Sequence, residues 1–153
     1  MPFVKDFRES LELDTEEKFQ ILIEKTQLDL ANVVKIKDAN VDFEELPGLM
    51  QHWLSVKAEL EFLKRAIDKQ MKLTSIPRLI ELVNKGNYVS SKLIDTALEG
   101  IPAYSALHDK LSKVQLMLDV IHSGITGMWF KKDALVNLTA SKRRHMDIEK
   151  YEL

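Results

Sequence analysis

The sequence predicts an all-α protein, and three observations favour this class. Its 153 residues include only five glycines and four prolines, fewer turn residues than an all-β sandwich or barrel needs. Two stretches carry apolar residues at alternating spacings of three and four, which is the helical period. An apolar content of 45% with 30% charged residues is typical of a folded chain. We expect long heptad-patterned helices packed as an antiparallel, coiled-coil-like assembly, with short helices between them.

The N-terminal third divides into an arm, a helix and a connector. Residues 1–13 are expected to form a loose arm. Asp14 is a candidate N-cap, with Glu17 three residues later as in a capping box. The first helix should run over residues 15–34, and the acidic residues 38–45 should link it to the next helix. We therefore divide the chain into an acidic arm with the first helix, residues 1–45, and a helical core, residues 46–153.

The second helix carries the first heptad pattern and should begin near Pro47, because proline suits the first turn of a helix. Seven apolar residues follow spacings of three and four and form a coiled-coil seam. They are Leu46, Leu49, Trp53, Val56, Leu60, Leu63 and Ile67. The pattern weakens after Met71. Two short helices should follow, one from Pro77 to a stop at Gly86 and one from Ser90 to a stop at Gly100.

A long helix over residues 103–144 carries the second heptad pattern. Its eight seam residues are Tyr104, Leu107, Leu111, Val114, Leu118, Ile121, Ile125 and Met128. Gly124 and Gly127 inside this helix indicate a kink or a close helix crossing. Two long seams in one small chain favour an antiparallel pair within the subunit together with association between subunits. A monomeric bundle that buries both seams internally is the alternative.

The charge is unevenly distributed along the chain. The formal net charge is −2, but residues 1–50 carry a net −6 and residues 51–153 a net +4. This asymmetry indicates an electrostatic partner for the basic part or an acidic shield over it, and the plainer alternative is that the charges are solvated helix faces. Neither a secretory leader nor an apolar run long enough to cross a membrane is apparent, so we expect a cytoplasmic protein that does not contact membranes.

The sequence offers little for catalysis. It has no cysteine, no glycine-rich phosphate loop and no paired zinc-ligand motif. Asp119 and His122 have a spacing seen in helical metal sites, but the second motif and the two further carboxylates of a two-metal bundle are missing. We therefore expect a protein that is not an enzyme and uses no metal or cofactor.

Two groups of basic residues are the candidate nucleic-acid contacts. The first, with Arg78 just beyond it, is Lys57, Lys64, Arg65, Lys69 and Lys72, and the second is Lys131, Lys132, Lys142, Arg143 and Arg144. Trp129 and Phe130 directly precede the second group, and cations beside aromatic rings are typical of single-strand binding. Two plainer interpretations remain: the second group could complement a helix C-terminus, and the aromatic pair could be interface core.

The order of these features resembles the UvsY family of phage recombination mediators over roughly residues 28–144. Three short segments are similar to the family's motifs. They are Gln51-His52-Trp53-Leu54, Leu63-Lys64-Arg65-Ala66-Ile67-Asp68, and the run from Leu118-Asp119 to Ser123-Gly124 that leads into the basic tail. Two features depart from the family pattern. A Tyr-Tyr-Ser-Gly-like segment is replaced by Lys69-Gln70-Met71-Lys72, and the acidic arm over residues 1–27 is additional.

The resemblance implies a non-enzymatic mediator that binds single-stranded DNA. Such a protein helps to load a RecA-like recombinase onto strands coated by single-strand DNA-binding protein, in the cytoplasm of the infected host cell. It also implies a ring-like homo-oligomer of about six or seven subunits, held together by the seam from Tyr104 to Met128. Lys64 and Arg65 would contact phosphates. The alternative function is a phage structural or assembly adaptor that acts through helix–helix contacts, which heptad seams support equally.

Overall fold

The fold is all-α, as the sequence predicts. The computed structural model describes residues 2–12, 16–86 and 90–151, and no strand occurs in these ranges. Five helices follow one another: α1 (Pro2–Glu12), α2 (Glu16–Val34), α3 (Ala39–Asn84), α4 (Ser91–Glu99) and α5 (Pro102–Tyr151). With 46 and 50 residues, α3 and α5 are by far the longest, and at 1.5 Å per residue each is about 70 Å long.

The antiparallel pair of α3 and α5 forms the centre of the molecule. Asp42, near the start of α3, lies beside Lys131, and Lys57 lies beside His122, so the residue numbers rise along one helix as they fall along the other. The seam of α3 packs against the seam of α5, and Val56 and Leu60 have no exposed surface. The heptad patterns therefore predicted both helices and their pairing.

Helix α2 lies along the same pair and runs parallel to α5. Its Leu30 packs over Gly124 and its Val34 over Gly127. A Cβ atom at Gly124 would lie 2.6 Å from Leu30 Cδ2, and one at Gly127 would lie 2.8 Å from Val34 Cγ2. The two glycines thus mark a close helix crossing, one of the two predicted alternatives, because only hydrogen at these positions lets α2 approach.

The predicted loose arm is wrong over residues 2–12, which form helix α1. Val4, Phe7 and Leu11, at spacings of three and four, are buried in the same core as the long helices. The Phe3 ring meets the Trp53 ring edge-on, with the centroids 5.7 Å apart. The α1 segment is acidic and short, yet it packs because its one apolar face covers the core. The predicted N-cap, Asp14, lies outside the described residues.

The predicted connector over residues 38–45 is also wrong, because Asp38 caps α3 and the helix begins at Ala39. The Asp38 side chain accepts hydrogen bonds from the backbone N–H groups of Asn40 and Val41, at 3.0 and 3.5 Å. One carboxylate oxygen of Asp42 accepts from the N–H groups of Lys37 and Asp38. The backbone N–H of Lys37 is the main cause that lowers the pKa of Asp42. Acidic side chains here satisfy a helix N-terminus.

Each of Pro47 and Pro77 was predicted to begin a helix, and both predictions are wrong. Both prolines lie inside α3. Proline removes one backbone donor and strains the preceding turn, but both prolines are exposed while neighbouring residues such as Met50 and Leu82 remain buried. Packing therefore carries the helix through both positions. The predicted stop is confirmed: α3 ends at Asn84, and Gly86 adopts a positive φ of 67°.

The short helix after this turn is confirmed as α4. The Ser90 hydroxyl accepts a hydrogen bond from the N–H of Leu93 at 3.2 Å, which caps the helix, and Gly100 stands at its C-cap. Pro102 then begins α5, which continues to Tyr151, beyond the predicted end at residue 144. From residue 136 to residue 150 every side chain of α5 is exposed, so this stretch, the α5 tail, extends past the start of α3.

The structure places the seam predicted for oligomerisation inside a single chain. Tyr104, Leu107 and Leu111 are half-buried against the core, and Val114, Leu118, Ile121, Ile125 and Met128 are buried in it. The exposed surface of Val114, Ile121 and Met128 is zero. These five buried residues therefore have no surface left for a second copy, and the seam serves the intramolecular pairing.

Candidate nucleic-acid interface

The first basic group occupies two different faces of α3. Lys57 and Lys64 are half-buried along the edge that faces α5, whereas Arg65, Lys69 and Lys72 are exposed. At 100° per residue the exposed three fall within an arc of about 60°, and they span about 10 Å along the helix. We call these three residues the α3 basic face.

The half-buried pair belongs to a column of alternating charge. Lys57, Glu61, Lys64 and Asp68 follow one another on this edge. The Lys57 ammonium lies 4.0 Å from the Glu61 carboxylate and 3.4 Å from Nδ1 of His122. The Glu61 carboxylate offsets part of the positive charge of Lys57, so this half-buried lysine offers less to a phosphate than the exposed cations of the α3 basic face do.

Lys131 is not available to a nucleic acid, which corrects its place in the second basic group. Its side chain is 4% exposed. Its ammonium donates hydrogen bonds to the carbonyl oxygens of Val33 and Lys35, at 2.7 and 2.8 Å, and lies 3.6 Å from the Asp42 carboxylate. Lys131 therefore ties the end of α2 and the start of α3 to α5. The orphan carbonyls of a helix C-terminus need such a donor.

The other members of the second group are exposed. Lys142, Arg143 and Arg144 lie on the α5 tail, where α5 has left the bundle. Only Lys150 lies in the last turn of the described helix. Because the effect of the helix dipole is confined to that turn, it accounts for Lys150 and not for the three residues two turns earlier. We call Lys142, Arg143 and Arg144 the tail basic cluster.

The aromatic pair lies at the surface and not in the core of the chain. The exposed fraction is 48% for Trp129 and 70% for Phe130. The Lys132 ammonium is 4.8 Å from the centre of the Trp129 ring, a cation–π contact. Phe130 lies about 160° from Lys132 around α5, so its exposed ring offers a stacking face on a different side of the helix from this lysine.

An apolar groove of about 530 Å³ lies between α3 and α5, next to Trp129. Its walls come from the first half of α3 and from one turn of α5. They are Phe43, Leu46, Pro47, Met50, Gln51, Leu54, Ser55, Ala58, Trp129 and Lys132. The sequence analysis missed this groove. Its signal was the column Phe43, Pro47 and Leu54, which lies off the heptad seam on a neighbouring strip of the helix.

No set of three potential metal ligands converges within residues 2–12, 16–86 and 90–151. The Asp119 carboxylate accepts a hydrogen bond from the Gln115 side chain at 2.8 Å, and His122 faces Lys57. Each member of the Asp119–His122 pair thus has a protein partner of its own.

In the described part of the chain no helix is long and apolar enough to cross a membrane. Comparison with protein families, curated proteins and solved structures finds no match for this chain.

Proposed function

We propose that the protein is a non-enzymatic, single-stranded DNA-binding recombination mediator. The observation that carries the proposal is the α3 basic face: three exposed cations on one side of a rigid helix, with no acidic side chain paired to them among the described ion pairs. Phe130 adds an exposed ring and the tail basic cluster adds further cations, and both lie toward the end of the bundle where α3 begins, away from the α3 basic face.

The physical basis of binding is phosphate neutralisation with base stacking. Each phosphate neutralised on a single strand contributes a slope of about −0.7 to the salt dependence of log K. Each base stacked on an aromatic ring contributes about 1–3 kcal/mol. Backbone contacts and stacking do not read base edges, so we expect no sequence preference. A duplex hides its base faces, so we expect single strands to bind more tightly.

The mediator role rests on the resemblance to the UvsY family. In that role the protein would displace single-strand DNA-binding protein and load a RecA-like recombinase in the cytoplasm of the infected cell. A homo-oligomeric ring would repeat the basic surfaces and raise avidity without new contacts. Because the seam from Val114 to Met128 is covered within the chain, the contacts between copies would use exposed surfaces such as the apolar groove.

The test is fluorescence anisotropy with a labelled single-stranded oligonucleotide and a duplex control, at low and moderate salt. The variant combines Arg65→Ala, Lys69→Ala and Lys72→Ala. The matched control, Lys18→Ala with Lys25→Ala and Lys92→Ala, removes the same charge from exposed positions on other helices.

We expect the α3 variant to bind single strands at least tenfold more weakly, with a salt slope less steep by about two, since three phosphate contacts are lost. The control should stay within about threefold of the wild type. A wild-type protein that binds neither nucleic acid at low salt would contradict the proposal, and so would equal losses in the two variants.

A structural or assembly adaptor is the second candidate function, and the apolar groove favours it. Exposed apolar surfaces of this kind mark protein contacts. This function predicts no DNA effect of the α3 variant, whereas Leu54→Ser in the groove wall would weaken the contact with a protein partner. The same anisotropy experiment therefore separates the two functions.

A further inference from the structure

A stripe of large apolar side chains lies on α3, on the face opposite the one that packs against α4 and α5. Its members are Phe62, Leu73, Ile76, Ile80 and Val83, and the last four follow spacings of three, four and three. Each is 46–68% exposed. Counted at 100° per residue, the stripe is centred about 180° from the buried residues Ile67 and Met71. We call these five residues the α3 outer stripe.

Single exposed apolar side chains are ordinary, but several at heptad spacing on one exposed helix face are not. A row confined to a and d positions is the seam of a coiled coil, narrower than the apolar face of a helix that packs on a core. The inner seam of α3 already meets α5. From Leu73 to Val83 the outer stripe therefore has the form of a second helix-binding seam, about 15 Å long, which the described chain leaves uncovered. Phe62 lies about 16 Å farther along the same face, with Lys69 between it and Leu73.

The charges beside the stripe restrict what can cover it. One border carries Arg65 and Lys72, with Lys69 in the row itself, and all three are exposed. The opposite border carries Gln70, Pro77 and Asn84, together with Glu81. The Glu81 carboxylate is already paired with Arg78 at 2.8 Å and Lys85 at 3.2 Å. One side of the seam is thus basic and the other is close to neutral.

We propose that the α3 outer stripe binds an amphipathic helix of a partner protein, whose apolar a and d residues are flanked by acidic side chains. The apolar row would supply most of the affinity and the α3 basic face would fix the orientation of the partner. This surface goes beyond DNA binding, although its basic border is shared with the proposed DNA contacts. An acidic helix and a DNA strand would therefore compete for α3.

A second copy of the chain fits the stripe less well. In an antiparallel pair of α3 helices that overlap their stripes, the same border of each copy lies on the same side, so Lys72 of one copy would lie near Lys72 of the other. In a parallel pair the basic border would meet Gln70, Pro77 and Asn84, which carry no charge. Like charges across a seam oppose pairing and set partner choice, so charge complementarity favours an acidic partner.

The test uses two synthetic helical peptides of four heptads with leucine at a and d. One carries glutamate at the flanking positions and the other carries lysine. Binding is measured by isothermal titration calorimetry with the full chain. The variant is Ile76→Ser with Ile80→Ser, and the matched control is Ile21→Ser with Leu28→Ser, two similarly exposed residues seven apart on α2. Circular dichroism verifies that both variants remain helical.

We expect the acidic peptide to bind the wild type at least tenfold more tightly than the lysine peptide. The stripe variant should lose about 30-fold in affinity for it, and the control should lose less than threefold. Reversing the border with Arg65→Glu, Lys69→Glu and Lys72→Glu should invert the preference between the peptides. Single-stranded DNA binding by the stripe variant should stay within twofold of the wild type, since no cation is removed.

Four results would overturn the proposal. The acidic peptide could fail to bind the wild type, or bind the stripe variant and the wild type equally. Sedimentation could show a wild-type oligomer that the stripe variant alone converts to a monomer, which would assign the stripe to a second copy. A stripe variant that loses DNA binding together with peptide binding would assign the stripe to the DNA interface.

Discussion

Replacing Lys131 by methionine tests the buried polar contact that joins α5 to the end of α2 and the start of α3. Methionine has a similar length and no polar atom, so the substitution keeps the packing and removes the donor. The carbonyl oxygens of Val33 and Lys35 then lose the ammonium that lies 2.7 and 2.8 Å from them. Hydrogen bonds from a charged donor contribute about 1.5–3 kcal/mol each, and water reaches the vacated carbonyls in part. We therefore expect a loss of about 2–4 kcal/mol in the free energy of unfolding.

The assay is thermal unfolding followed by circular dichroism at pH 7. For a domain of this size such a loss lowers Tm by roughly 10 °C. Lys132→Met is the matched control. Its ammonium is exposed and contacts only the Trp129 ring among the described partners, so its Tm should fall by less than about 3 °C. If Lys131→Met and Lys132→Met have the same Tm, the buried lysine does not hold α2 and α3 to α5, and the reasoning is refuted.

Three further predictions concern packing and pH. Gly124→Ala should destabilise the fold by about 1–2 kcal/mol, because the added Cβ would lie within 2.9 Å of three atoms of the buried Leu30. The control Gly48→Ala, with open space around the added Cβ, should stabilise the fold by about 1 kcal/mol. Equal melting temperatures of the two variants would contradict the close crossing. Ile121→Ala should cost about 2–5 kcal/mol in urea unfolding, and a loss below 1 kcal/mol would mean that this seam position is not core. The backbone N–H of Lys37 is the main cause that lowers the pKa of Asp42 from 3.8. The stabilising contribution of the Asp42 carboxylate is therefore complete above about pH 5 and is lost as the pH falls through the lower folded-state pKa. Wild type and Asp42→Asn should therefore differ in Tm at pH 6 and converge toward pH 3, and a gap that widens on acidification would reverse the assignment.

Local signals predicted the parts of the fold that depend on neighbours in sequence. The cap at Ser90, the stop at Gly86 and the start of the last helix, predicted at residue 103 and found at Pro102, each need only a few adjacent residues, and all three are confirmed. The eight seam positions of α5 predicted a helix because their spacing repeats over seven intervals. The residues that determine each of these features lie within one or two helical turns of it.

The errors arose where the cause lies far away in sequence. Residues 38–45 resemble a connector because four of them are acidic. One of the four, Asp42, lies beside Lys131, and Asp42 also binds the backbone at the start of α3. Pro77 resembles a helix start, but residues on both sides of it are held by packing. In α1, Phe7 and its apolar neighbours are too few to define a helical period from the sequence alone. Their role becomes clear only from the core that they cover.

The sequence predicted which residue types the candidate site contains. It did not predict which of these side chains are exposed. A run of lysines and arginines gives no sign of which member is buried, and Lys131 and Lys132 differ only in which side of α5 they occupy. The same limit applies to the aromatic pair. Periodicity assigns Met128 to the inner face of the helix, so it places Phe130 about 200° away from that face, and this offset was the available indication of an exposed ring.

Heptad periodicity predicts that one face of a helix packs against another helix, but it does not identify the chain that supplies that partner helix. The seam from Tyr104 to Met128 was compatible with a partner helix from the same chain or from another chain, and the fold assigns most of it to α2 and α3. The α3 outer stripe has the same spacing over a shorter length, and the fold leaves it exposed. The inner seam of α3 and the α3 outer stripe differ in the charges beside them. The alternating charges from Lys57 to Asp68 border the inner seam, whereas Arg65 and Lys72 border one side of the outer stripe. An inner seam pairs with a helix whose charges are fixed in the same chain. The basic border of the outer seam has no acidic partner among the described ion pairs, so under the two proposals a DNA strand and an acidic helix would compete for it.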